Sequence, residues 1–168
     1  LGAKPDGQTL CTEIIQDAVD RCAKDGGGTV CFPPGRWLTG TVYLADNVTV
    51  ELENGCTVLG TTDKRQYGSP RQLMGAKGEQ YSTWAIFAGK GLRSIVIRGR
   101  GTIDGQGGNF KYKDGARPKN LYFEDCQDVL IEGVRLRNAG SWMQHYRNCD
   151  RLTIRNIAVF NHVSYNND

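Results

Sequence analysis

The sequence predicts an all-β fold: a right-handed, single-stranded parallel β-helix closed at its amino-terminal end by one α-helix. Three observations carry that prediction. Apolar residues change from a period of 3.6 to a period of 2 after a triple glycine. One stretch of short strands repeats within the chain. Glycine accounts for 22 of 168 residues, nearly twice the usual share of about 7%, as a fold made of many turns requires.

The helix comes first. Ile14, Ala18 and Cys22 fall on one face of Glu13 to Lys24, with Ile15 and Val19 beside them, which is the helical spacing. Thr12 is placed to cap the start, Glu13 and Asp17 suit the positive end of the dipole, and Arg21 and Lys24 suit the negative end. Gly26-Gly27-Gly28 stops it. The helical cap is therefore expected over about 12–25, with stacked rungs from about 28 onward and one unit spanning 1–168.

Strands follow. Val30 and Phe32, Val42 and Leu44, Val48, Val50 and Leu52, and Ile95 and Ile97 each alternate with other residues and are bounded by Gly, Asn, Asp or Pro. No second amphipathic helix appears, so a doubly wound α/β fold lacks its crossover helices.

The repeat then selects the architecture. Cys126-Gln-Asp-Val129-Leu-Ile131-Glu-Gly-Val134-Arg-Leu136-Arg-Asn138 lies over Cys149-Asp-Arg-Leu152-Thr-Ile154-Arg-Asn-Ile157-Ala-Val159-Phe-Asn161 at an offset of 23. A looser copy contains Ile95, Ile97 and Thr102-Ile103-Asp104-Gly105, and another starts at Val48. Repeats of this length bury their apolar faces by stacking. A unit of two or three short strands without a helix fits one coil of a parallel β-helix, whose rungs lie about 4.8 Å apart. Cys126 and Cys149 are expected in one stack, and Asn138 and Asn161 in an amide ladder. The helix is expected to cover the open first rung.

Composition excludes several alternatives. The longest apolar stretch, Trp84-Ala-Ile-Phe-Ala88, is far below the roughly 18 residues of a membrane span. The formal net charge is +3, compatible with an anionic partner; without a basic helix, zinc-finger spacing or aromatic-rich RNA motif, nucleic acid is the weaker candidate and an anionic polysaccharide is admissible. Cysteines at 11, 22, 31, 56, 126 and 149 form no C-x-x-C pair, and mostly buried thiols are expected. No metal or cofactor is expected.

Applied further along the chain, the offset of 23 brings Trp142 near Tyr165, Gln144 near Asn167, and His145 near Asp168. Such a strip suits a sugar-binding groove, in which aromatic faces meet sugar C–H groups and polar groups read hydroxyls. Arg147 adjoins it, and its guanidinium suits a carboxylate.

A resemblance sharpens these expectations. Gly2-Ala3-Lys4-Pro5-Asp6-Gly7-Gln8-Thr9, Gly26-Gly27-Gly28-Thr29-Val30, Pro33-Pro34-Gly35, Gly101-Thr102-Ile103-Asp104-Gly105-Gln106-Gly107, Trp142-Met-Gln-His145 and Asn166-Asn167-Asp168 occur in the order seen in glycoside hydrolase family 28. The resemblance covers essentially the whole chain. It implies a pectin lyase-like β-helix and, for the full-length protein, an inverting, polygalacturonase-like hydrolase of an acidic plant polysaccharide: pectin, galacturonan or rhamnogalacturonan. It further implies a monomer acting outside the cell or in a periplasm.

In that family an Asn-Thr-Asp-Gly motif supplies one of three site aspartates. Asn166 and Asp168 match its Asn and Asp, whereas Asn167 replaces its Thr. Asp168 is thus implied as catalytic, in the group that activates water, with Asn166, His145, Trp142 and Arg147 as substrate-binding residues. The family's downstream Asp-Asp, Gly-His-Gly and Arg-Ile-Lys motifs do not occur in these residues, so little activity is expected of them alone. Asn109-Phe110 stands where many members carry Trp, which bears on a substrate contact.

The chemistry fits the carboxylates. Inverting hydrolysis needs one acid for the leaving oxygen and one base for water on the opposite face of the sugar. Two alternatives remain open at this level: a calcium-dependent enzyme of the pectate-lyase type, for which no rung shows a clear acidic cluster, and a non-catalytic carbohydrate-binding β-helix.

Overall fold

A computed structural model describes residues 2–68, 83–111 and 116–163. Its strands form three sheets in which every pairing is parallel. Sheet A contains β1 (Asp6–Leu10), β3 (Gly35–Thr39), β6 (Cys56–Gly60), β9 (Thr102–Asp104), β12 (Arg135–Arg137) and β15 (Ala158–Phe160). Sheet B contains β2 (Gly28–Phe32), β5 (Val48–Leu52), β8 (Arg93–Gly99), β11 (Gln127–Glu132) and β14 (Asp150–Arg155). Sheet C contains β4 (Val42–Tyr43), β7 (Ala85–Lys90), β10 (Lys119–Glu124) and β13 (Gln144–Arg147). Along the chain each coil visits C, then B, then A, and each strand pairs with its counterpart in the coil before. This is the parallel β-helix expected from the repeat.

The predicted offset is the observed register. Leu121 pairs with Gln144, Val129 with Leu152 and Leu136 with Val159, each pair 23 residues apart. The looser copy is also in place, with Val129 opposite Ile95 and Ile131 opposite Ile97. Inward residues of the stacked strands form one core that includes Val50, Ile97, Ile103, Ile131 and Leu136, all at 0% exposure. Each such side chain contributes roughly 1.5–3 kcal/mol on burial.

Corners repeat as faithfully as strands. Asp125 and Asn148, and Asp128 and Arg151, occupy left-handed backbone at positive φ in successive coils. Their side chains then bond along the axis: Asn148 Nδ2 donates to Asp125 Oδ1 at 2.7 Å, and Arg151 Nε donates to Asp128 Oδ1 at 2.6 Å. At the corner between sheets B and A, Gly99 and Gly133 both take positive φ, and a Cβ on Gly133 would collide with the Gly99 carbonyl. Part of the glycine excess is thus spent where coils approach most closely.

The helix α1 (Thr12–Lys24) buries Ile15 and Val19 and packs on β2, β4 and β5. It covers the first rung on two sheets. Two local details differ from the sequence-based expectation. The N-cap is Cys11, not Thr12, because the Thr12 hydroxyl instead accepts the Gly40 N–H at 2.7 Å; a tertiary bond to the end of β3 replaces the local cap. Rungs also begin before residue 28, since β1 pairs with β3 and extends sheet A. That strand carries little apolar signal; Asp6 organises it, its carboxylate accepting the backbone N–H of Gln8 and Thr9 at 2.8 and 2.7 Å.

The expected cysteine stack is in place. Cys126 is buried and its coil equivalent Cys149 half-buried beside it, as expected. The Asn138 amide donates to both Asp104 carboxylate oxygens at 3.2 Å in the preceding coil, a charge-assisted bond along the axis. Of the six thiols, Cys11, Cys56 and Cys126 are buried, Cys22 and Cys149 are half-buried and Cys31 is exposed, so burial holds for only half. Among the described residues no helix is long and apolar enough to cross a membrane.

Candidate functional site

Strand alternation assigns the two faces of sheet C. Leu121 and Phe123 of β10 point into the core, leaving Tyr122 and Glu124 on the outer face. The alternation breaks at the start of the strand. Asn120 also turns inward, where its amide Nδ2 donates to the carbonyls of Ile103 at 3.1 Å and Arg137 at 2.9 Å. Lys119 and Tyr122, three residues apart, therefore share the outer face.

One coil on, the same spacing returns. Tyr122 stands opposite His145, and the offset of 23 carries Lys119 to Trp142. In the coil before, Ala85 faces Lys119 and Ala88 faces Tyr122, so small side chains leave room beside large ones. Tyr43 of β4 extends this column.

These side chains touch. The His145 ring meets Trp142 edge-on at a centroid distance of 4.7 Å and Tyr122 at 5.1 Å. The Lys119 ammonium lies 5.4 Å from the Tyr122 ring centroid and 5.6 Å from that of Trp142, within cation–π range. Glu124, 5% exposed, accepts the Tyr122 hydroxyl at 2.6 Å and the Lys90 ammonium at 2.7 Å.

The charges are correspondingly displaced. Burial draws Lys119 down to about 8. His145 is held below its ordinary value by burial first and by the Lys119 charge second, with Glu124 opposing. Its Nδ1 is buried and has no hydrogen-bond partner. The Glu124 hydrogen bond raises Lys90. Tyr122 rises well above the ordinary phenol range through burial and the same carboxylate.

Trp142 and His145 are thus brought together as expected, and Arg147, exposed, follows on the same strand opposite Glu124. Gln144 leaves the expected strip: it faces Leu121 on the inner side, where its amide oxygen accepts the Tyr146 hydroxyl at 2.8 Å. Tyr165, Asn166, Asn167 and Asp168 lie outside the described residues. Lys119, Tyr122, Glu124 and Lys90 belong to the cluster without having been picked out from sequence. The available signal was the offset itself, which carries Trp142 and His145 back to Lys119 and Tyr122. No group of three or more potential metal ligands occurs among the described residues.

Fold and site together define a class: parallel β-helices with a polar, aromatic-lined face on one sheet. Residues 38–168 match the model of glycosyl hydrolases family 28, and the chain belongs to that family. A probable polygalacturonase of Vitis vinifera is 31% identical over 95% of this chain and 35% of its own length. An exo-poly-alpha-D-galacturonosidase of Dickeya chrysanthemi is 33% identical over 63% of this chain and 18% of its own. The chain therefore spans about a third or less of these relatives. In fold it is similar to a hyperthermoactive exopolygalacturonase of Thermotoga maritima, with a TM-score of 0.83 at 22% identity over 98% of this chain and 46% of that one.

Proposed function

We propose that these residues form the amino-terminal part of a polygalacturonase-like glycoside hydrolase, with the outer face of sheet C as the floor of its substrate groove. The observation that carries this reading is the wall of Tyr122, Trp142 and His145 over Lys119, repeated at an offset of 23. The same step leads from His145 to Asp168. In this reading Asp168 is one of the carboxylates that activate water, and an acid elsewhere in the full-length enzyme protonates the leaving oxygen.

Substrate recognition divides among named groups. Trp142 offers an apolar surface to the sugar ring. Uncharged His145 exchanges hydrogen bonds with a hydroxyl, and exposed Arg147 pairs with a galacturonate carboxylate. Asn166 positions substrate beside Asp168. The substrate is a pectic galacturonan, encountered outside the cell or in a periplasm by a monomer.

Incubating the full-length protein with polygalacturonate tests the reaction. Hydrolysis releases reducing ends without an ultraviolet-absorbing unsaturated sugar; accumulation of that chromophore would replace hydrolysis by elimination. Asp168→Asn is expected to lower turnover by roughly a hundredfold or more with unchanged circular dichroism. Unaltered turnover would remove Asp168 from the mechanism.

A further inference from the structure

Lys119 has no part in the recognition scheme above. At 1% exposure it is too enclosed to meet a polymer, and taking an ammonium out of water is costly. Two aromatic rings offset part of that cost. They are the same two rings, Tyr122 and Trp142, that meet His145 edge-on. The four side chains therefore close a circuit: Lys119 to Trp142, Trp142 to His145, His145 to Tyr122, and Tyr122 back to Lys119. Ala85 and Ala88, opposite Lys119 and Tyr122 in the preceding coil, leave it room.

We propose that Lys119 is a positioning residue of the groove, which draws the Tyr122 and Trp142 rings together and holds His145 uncharged for a sugar hydroxyl. A neutral imidazole keeps one nitrogen as an acceptor, whereas an imidazolium can only donate. Among the described residues, the charged groups that act on His145 are Lys119 and Glu124, both from β10. Burial is the larger cause, the Lys119 charge adds to it, and Glu124, shared by Lys90 and the Tyr122 hydroxyl, opposes both. The role in sugar binding rests on the galacturonan reading. The coupling of Lys119 to His145 does not.

The chain has two histidines, so His162→Gln leaves a single imidazole to follow by NMR. Its titration is expected to have a midpoint below 6.5, then a second inflection near pH 8 as Lys119 loses its proton. Lys119→Met should raise the midpoint by roughly half a unit and abolish the second inflection. Lys119→Arg should keep the midpoint low. Trigalacturonate binding, followed by tryptophan fluorescence, should weaken roughly fivefold in Lys119→Met and recover within about twofold in Lys119→Arg.

An unmoved midpoint in Lys119→Met overturns the proposal, as does equal loss of binding in both variants, which would mark ordinary packing. If Lys119→Met does not fold, the inflection near pH 8 in the parent chain decides alone, and its absence overturns the proposal. Titrations that behave as expected in a chain that binds no trigalacturonate would sustain the coupling and sink the galacturonan reading.

Discussion

Sheets B and C are built by the same parallel, in-register stacking, yet their outer faces carry opposite chemistry. On sheet B, Glu51, Arg98, Glu132 and Arg155 stand opposite one another in successive coils. They form a ladder of alternating charge, with Arg98 on Glu51 at 2.6 Å and Arg155 on Glu132 at 2.8 Å. Solvent reaches both pairs. On sheet C the equivalent ladder runs through alanines, a buried lysine, aromatic rings and an imidazole, and its carboxylate is enclosed. Regular stacking thus provides two equally ordered surfaces, one with its charges in solvent and one with a lysine and a carboxylate enclosed among aromatic rings.

The largest expected effect that would break this contrast concerns the two carboxylates. Glu124→Ala leaves the buried Tyr122 hydroxyl without its acceptor and Lys90, whose side chain is 33% exposed, without its nearest carboxylate, at a cost of about 2 kcal/mol. Glu51→Ala, on the solvated ladder, should cost less than about 1 kcal/mol. Urea unfolding of both variants compares them directly; equal losses would mean that the faces do not differ in solvation as described.

A smaller effect tests the wall. Trp142→Ala removes the ring that joins Lys119 to His145 and should weaken trigalacturonate binding by roughly tenfold, about 1.4 kcal/mol. Arg98→Ala should leave binding unchanged. A response to Arg98→Ala as large as that to Trp142→Ala would move the groove away from sheet C.

A pH dependence tests the desolvation of Lys119 itself. Burial lowers Lys119 to about 8 in the folded chain, whereas an unfolded lysine titrates near its ordinary value of about 10.4. Between those values the unfolded state binds the extra proton, so stability rises with pH. The parent chain should therefore gain on Lys119→Met as pH climbs from 8 to 10, read as a growing difference in urea midpoints. A constant difference would mean that Lys119 is not desolvated. His145 runs the same way at lower pH: held below 6.5, it loses stability as acidification protonates the unfolded chain first.

Much of the architecture was legible in the chain. The pairing of Cys126 with Cys149 stated the coil length, and three sheets adopted it as their register. The triple glycine marked the end of the helix. By contrast, β1 was invisible because its order comes from Asp6 and from pairing with β3, not from apolar alternation. The Thr12 cap failed because Gly40, 28 residues away, offered its hydroxyl a tertiary donor. Trp142 and His145 could be picked out from aromatic and polar character one coil from Asp168. Lys119 was signalled only by its offset of 23 from Trp142, against strict alternation, which would turn it inward; the inward fold of Asn120 places it beside Tyr122.

The sequence by itself thus determined the period, the helix and the nearness of Trp142 to His145, because each is a local pattern of residue types along one strand or one coil. Tertiary structure alone decided which faces are dry. Dryness depends on what neighbouring coils place beside a side chain: Ala85 and Ala88 beneath Lys119 and Tyr122, against Glu51 and Glu132 flanking Arg98. A lysine and a glutamate in the string are ordinary surface residues. Stacked at a rung spacing of about 4.8 Å against aromatic rings, Lys119 and Glu124 become enclosed charges.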